Sequence, residues 1–163
     1  MDTMTHDKAN LTPKIALYEP DIPQNTASII RTCSCLGAQL EIIEPCGFLF
    51  TDKRFKRVVM DYMEEDKIKF YKSSEDFFNN KKNKRVILIT TKAIQSYSEF
   101  SFKIDDTLLF GRESAGVPKI VHKNSFARLK IPLAKKSRSL NISIAVAITL
   151  SEALKQNMFF KND

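Results

Sequence analysis

From Leu140 to Leu150 the sequence reads L-N-I-S-I-A-V-A-I-T-L, apolar on nearly every face of the helix it predicts. A helix without a polar face must be covered all round, either deep in a fold or against another subunit. This one is expected to run from Leu140 to Asn157. A chain of 163 residues is large enough for one domain and has little depth in which to hide such a helix, so an oligomer is favoured.

Upstream, short apolar runs alternate with helical patterns. Strands are expected at Ile15–Tyr18, Gln39–Ile43, Ile68–Tyr71, Val86–Thr90, Thr107–Phe110 and Ala127–Ile131. Helices are expected at Pro23–Leu36, Lys53–Met63 and Ser74–Asn79, with one or two turns at Val117–His122. Repeated strand–helix alternation predicts an α/β fold: a mostly parallel sheet with helices on both faces. With no internal repeat and no low-complexity linker, one domain is expected over residues 13–158, between a tail at 1–12 and a short tail at 159–163. Met1 to Thr12 is polar and lacks the apolar core of a signal peptide. No apolar stretch reaches the roughly 18 residues that span a bilayer. A cytoplasmic protein with no membrane partner is expected.

Charge and residue counts narrow the chemistry. The formal net charge is +7, and basic residues cluster at Lys53-Arg54-Lys56-Arg57, Lys81-Lys82-Lys84-Arg85 and Lys135-Lys136-Arg138. Three separated clusters suggest a folded surface that contacts phosphates at several points. Cys33, Cys35 and Cys46 lack zinc-site spacing, and the two histidines are His6, in the tail, and His122, read as lying on a solvated helix face. Metal-free chemistry is expected. The four glycines, Gly37, Gly47, Gly111 and Gly116, form neither a dinucleotide-binding fingerprint nor a phosphate-cradling loop. Any nucleotide-like cofactor must bind by another architecture.

Three segments carry polar groups where a site could form. In Glu19-Pro20-Asp21-Ile22-Pro23-Gln24-Asn25, a proline turn leads from strand to helix, with Arg31 six residues beyond Asn25. Asn25 either caps that helix or faces a ligand. Arg31 could share a polar edge with it, binding a phosphate or a ribose edge, or could pair with Glu19. In Phe110-Gly111-Arg112-Glu113-Ser114-Ala115-Gly116-Val117-Pro118 a buried strand ends in two glycines that bracket a carboxylate. This is either a ligand-binding turn at a strand's carboxyl end or an ordinary one. In Ile131-Pro132-Leu133 and Ser137-Arg138-Ser139-Leu140-Asn141-Ile142-Ser143, three polar residues guard the entry to a greasy helix, more than the one its N-cap needs.

Together these blocks, P-x-I-P-x-N-T-x-x-x-x-R, F-G-x-E-x-x-G-x-P and S-R-S-L-N-x-S-x-A-V, resemble the knotted SPOUT methyltransferases. Within that family the chain is similar to the small enzymes that methylate the ribose 2'-hydroxyl of the tRNA wobble nucleotide, position 34. The likeness runs from about Lys14 to Gln156. It implies a C-terminal trefoil knot, a homodimer packed on the last helix, and S-adenosylmethionine as cofactor with S-adenosylhomocysteine as product. By motif position the resemblance assigns cofactor contacts to Ile89, Gly111, Ile131, Ser139 and Leu140. It assigns the catalytic site to Arg31, Asn25, Glu113 and Asn141, and implies tRNA, through its anticodon stem-loop, as partner. Because a guanidinium is effectively always protonated, Arg31 is expected to position and stabilise charge and not to act as base. The alternatives are a knotted enzyme for another ribose, such as one in rRNA, or an RNA-binding dimer that has lost catalysis.

Overall fold

The computed structural model describes residues 11–62 and 67–157. His6, Met63, position 158 and the expected tails, Leu11 and Thr12 apart, lie outside the described residues. In chain order the elements are β1 (Lys14–Tyr18), α1 (Pro23–Leu36), β2 (Gln39–Ile43), α2 (Lys53–Tyr62), β3 (Ile68–Tyr71), α3 (Ser74–Asn80) and β4 (Val86–Ile89). There follow β5 (Gln95–Ser96), a 3-10 turn (Tyr97–Glu99), β6 (Thr107–Phe110), α4 (Lys119–Asn124), β7 (Ala127–Lys130) and α5 (Ile142–Gln156).

The strands form one seven-stranded sheet in the order β3-β2-β1-β6-β4-β7-β5, and every neighbouring pair is parallel. Alternation along each strand sorts the core into two layers. Ile15, Leu17, Leu40, Ile42, Ile87, Leu108 and Leu129 face Ile29, Ile30 and Cys33 of α1, Phe55 and Val59 of α2, and Val146 and Leu150 of α5. On the opposite face Ala16, Ile43, Leu88 and Leu109 meet Phe77 of α3 and Val121 of α4. Helices thus cover both faces. Side chains buried this completely each contribute about 1.5–3 kcal/mol.

Local chemistry sets the helix limits. Pro23 opens α1 at a position where its missing N–H costs nothing, and Gly37, at φ 75°, closes it with its N–H on the Cys33 carbonyl. Helix α5 starts at Ile142, two residues later than the apolar pattern suggests, because Asn141 caps it by accepting from the Ser143 N–H. Val146, Thr149, Leu150, Ala153 and Leu154 are buried, and the Thr149 hydroxyl is turned back onto the Ala145 carbonyl. Ile144 is 50 % exposed, and Ala147 and Ile148 are only partly covered. Within one chain, therefore, an apolar stripe of α5 stays open.

The basic cluster at 81–85 is paired internally. Lys81 is buried, with its Nζ 2.8 Å from Oε1 of buried Glu41 and stacked over the Phe77 ring. Burial pushes the Lys81 pKa down, and Glu41 opposes that shift. Lys84 pairs with Asp105, and Arg85 holds Asp106 through two nitrogens. Buried Lys81 is thereby withdrawn from the surface, while Lys84 and Arg85 reach it already paired.

Lys81→Met should lower the unfolding free energy by about 3–5 kcal/mol, because it strands a buried carboxylate. Combining it with Glu41→Leu should restore most of the loss. Urea denaturation of the two variants checks this, and equal loss in both would overturn it.

Candidate active site

All strands end on the same rim, and at β1, β6, β4 and β7 the exiting loops enclose a cleft of about 490 Å³. It opens beside the place where β1 has β2 on one side and β6 on the other, the position at which parallel sheets bind ligands. Asn25, Glu113 and Asn141 line it, as do Ile89, Gly111, Ile131, Ser139 and Leu140. Arg31 does not.

A chain of hydrogen bonds ties the three segments together. Asn25 Nδ2 donates to Glu113 Oε1 at 3.4 Å, and Asn141 Nδ2 donates to Asn25 Oδ1 at 3.0 Å. Asn141 Oδ1 in turn accepts from the Ser143 N–H at 2.9 Å and from its hydroxyl at 2.5 Å. Asn25 is thus not a cap: α1 has none from a side chain, and the Asn25 amide bridges to loops 88 and 116 residues away.

Glu113 is held from its other side by the proline turn. Its Oε2 accepts the Asp21 N–H at 3.2 Å, and Ser114 Oγ donates to Asp21 Oδ2. Burial and the neighbouring Asp21 push the Glu113 pKa up, while the hydrogen bond from Glu113 holds Asp21 below the ordinary carboxylate range. Gly47, in the loop after β2, presses against this turn: a Cβ there would lie 2.7 Å from Asp21 Cβ.

Sequence reading missed Arg112 and Asp21, whose partners lie far along the chain. Arg112 pairs with Glu19 at 2.6 Å and lies over the Tyr18 ring. Among the described residues Glu19 is thus paired with Arg112 and not, as the other expectation had it, with Arg31. Glu19 itself adopts φ 41°, a conformation costly for a non-glycine residue. Thr90 and Thr91, after β4, also line the cleft.

The idea that Arg31 shares a polar edge with Asn25 needs correction. Six helical residues are roughly 240° of rotation beyond one full turn, so the two side chains leave α1 in different directions. Arg31 is exposed on the helix surface, outside the cleft of its own chain.

Backbone geometry shapes the floor. Arg112 and Gly116 exchange two backbone hydrogen bonds, N–H to carbonyl, at 3.2 and 2.9 Å. This clasp folds the turn so tightly that a Cβ on Gly111 would come within 2.8 Å of the Gly116 backbone. Gly116, at φ 66°, faces open space.

Residues 13–151 match the model of the SpoU rRNA Methylase family. The chain is 46% identical over 144 residues to the tRNA (cytidine(34)-2'-O)-methyltransferase of Beijerinckia indica, covering 87% of this chain and 90% of that one. A solved structure described as giving insights into the 2-OH methylation of C/U34 on tRNA superposes with TM-score 0.85 at 34% identity, over 92% of this chain and 99% of that one. An AdoMet-bound rRNA methyltransferase from Sinorhizobium meliloti superposes with TM-score 0.79 at 26% identity, over 88% of this chain and 56% of that one. Among the described residues no helix is long and apolar enough to cross a membrane.

Gly111→Ala and Gly116→Ala should differ in kind. The first forces the clasp open and should cost about 1–3 kcal/mol of stability while distorting the cleft. The second meets only left-handed backbone strain, about 1–2 kcal/mol, in open space. Denaturant melts, with amide exchange at residues 112–117, would separate them; retained protection in Gly111→Ala would refute the clash.

Proposed function

The chain belongs to the SpoU rRNA methylase family, and from that premise we propose that it methylates the ribose 2'-hydroxyl of nucleotide 34, the wobble position, in tRNA. The observation that carries this reading is the hydrogen-bonded Glu113–Asn25–Asn141 chain inside the cleft, together with 46% identity to an enzyme bearing that name.

The cleft fits S-adenosylmethionine. Apolar Ile89, Ile131, Leu140 and Ile142 wall it, and the Gly111–Gly116 clasp forms a corner with no side chain on either glycine. Ile89, Gly111, Ile131, Ser139 and Leu140 would hold the cofactor, in part through backbone groups. When bound, it supplies an electrophilic methyl on a sulfonium and leaves as S-adenosylhomocysteine. The protein's task is to align the 2'-oxygen with the methyl–sulfur bond and ease the passage of its proton to a neighbouring phosphate or to water. Asn25 and Asn141 fix each other, so their amides present a rigid edge to the ribose. Glu113, anchored at both oxygens, orients that edge. Arg31 stabilises charge on the target hydroxyl or the adjacent phosphate.

Arg31 lies outside its own chain's cleft, and α5 leaves Ile144, Ala147 and Ile148 open, so a homodimer joined on α1 and α5 accounts for both. In that arrangement Arg31 of one subunit serves the cleft of the other. The last helix, α5, is the part of the chain that would thread through a loop to make a C-terminal trefoil knot. Exposed Lys53, Lys56, Arg57, Lys135, Lys136 and Arg138 suit the phosphates of an anticodon stem-loop. The domain would span residues 13–158 and work in the cytoplasm, where tRNA is found.

Nucleoside mass spectrometry of tRNA from cells with and without the gene should show 2'-O-methylation at position 34 lost in the deletion. Methylation lost from rRNA instead would transfer the activity to the other ribose substrate. Arg31→Lys should lower kcat/KM by about 10²-fold, the scale of a misplaced positioning group, with S-adenosylmethionine affinity unchanged. Near-normal turnover would remove Arg31 from the site. Raising salt should weaken tRNA binding steeply and cofactor binding little; equal sensitivity would count against the basic surface.

A further inference from the structure

The tract from Ser114 to Ser151 contains no aspartate or glutamate, but it carries Lys119, Lys123, Arg128, Lys130, Lys135, Lys136 and Arg138. It supplies α4, β7 and one wall of the cleft, and among the described residues none of its cations is in a salt bridge.

At its edge Arg128 of β7 bonds the end of α4 that carries His122, and Lys92, from the loop after β4 outside the tract, lies within electrostatic reach of His122. Arg128 lies in register with Leu88, on the α4 face of the sheet, while its neighbour Leu129 is buried on the other face. One Arg128 nitrogen, Nη1, donates to the His122 carbonyl at 2.5 Å and to the Ser125 carbonyl at 3.3 Å. These bonds fix the guanidinium at the end of α4 and leave its remaining N–H groups for another acceptor. Lys92 follows Thr90 and Thr91, which line the cleft, and its N–H donates to Thr90 Oγ1 at 3.2 Å. Burial lowers the His122 pKa, and the charges of Lys92 and Arg128 lower it further. The other charged groups near α4 are its own Lys119 and Lys123, and Glu75 of α3, which lines the groove on the Ile120 and Asn124 side.

No carboxylate pairs with Lys92, His122 or Arg128 among the described residues, whereas Lys81, Lys84, Arg85 and Arg112 each have one. Cations held together without a counter-ion repel one another, and a bound anion relieves that repulsion. We propose that Lys92, His122 and Arg128 form a phosphate subsite that grips one phosphodiester of the RNA strand beside the cleft. The subsite rests on reading the substrate as RNA. It uses none of the residues of the Lys53–Arg57 and Lys135–Arg138 clusters and lies on the α4 side of the sheet.

A phosphate there opposes the two charges that depress His122, so binding draws a proton onto the ring. RNA affinity must then rise as pH falls through the interval between the His122 pKa of the free protein and the higher one of the complex.

Fluorescence anisotropy with labelled tRNA, read at several salt concentrations and from about pH 8 to pH 6, tests this. Arg128→Ala and Lys92→Ala should each weaken binding by about 5–10-fold and reduce the log–log salt slope by about one. His122→Gln should flatten the pH dependence. Lys92→Ala sits on an exposed loop and covers the case in which Arg128→Ala disturbs β7. Lys103→Ala removes one exposed charge just before β6, at the rim opposite the cleft, and should match the wild type. Affinities within about twofold of wild type with an unchanged salt slope, or a pH dependence that survives His122→Gln, overturn the subsite. If that result comes while the wild type still methylates position 34, the subsite alone falls. If the wild type neither binds nor methylates RNA, the functional reading falls and takes the subsite with it.

Discussion

In a sheet whose strands all run one way, every chain segment leaves at the same rim, and the backbone groups that no neighbour satisfies collect there. The rest of this molecule follows from that constraint. Strand β6 is flanked by β1 and β4, and its four residues are buried, so the turn after it is the first place the chain can present polar groups. Glu113 stands in that turn, and the first turn of α1 and the cap of α5 answer it with Asn25 and Asn141. Because the three segments spring from a fixed register, the amide–carboxylate chain needs no rearrangement to assemble. It is rigid by construction, which is what an alignment-limited transfer requires.

Much of the fold was legible because burial on both faces leaves a simple trace: runs such as Val86–Ile89 and Thr107–Phe110, with little room for polar alternation. What escaped is equally physical. Strand β5 is two polar residues long and exists only because β7 offers an edge to pair with. The 81–85 cluster looked like a basic patch because its partners, Glu41, Asp105 and Asp106, stand about 20 to 40 residues away in sequence. Spacing along the chain finds like charges easily and opposite charges poorly.

The site shows the same division. Motif residues from three segments meet in one cleft, and that much was readable from their order and from the family resemblance. The Glu19–Arg112 pair and the Asp21–Glu113 contact were not, since no local rule links residues more than 90 positions apart. Helical arithmetic applied strictly would have separated Arg31 from Asn25. The apolar run of α5 was readable as a helix, but which of its faces the fold covers was not: Ile144 stays half exposed while Val146 and Leu150 are buried.

Gly47 lies outside the residues that line the cleft, yet it abuts the turn that carries Asp21, and Asp21 holds Glu113. A natural variant with any side chain at position 47 would push that turn aside and unseat a carboxylate it never touches. In a survey of variants such an allele would score as a surface loop change, although what it displaces is the Glu113–Asn25–Asn141 chain inside the cleft.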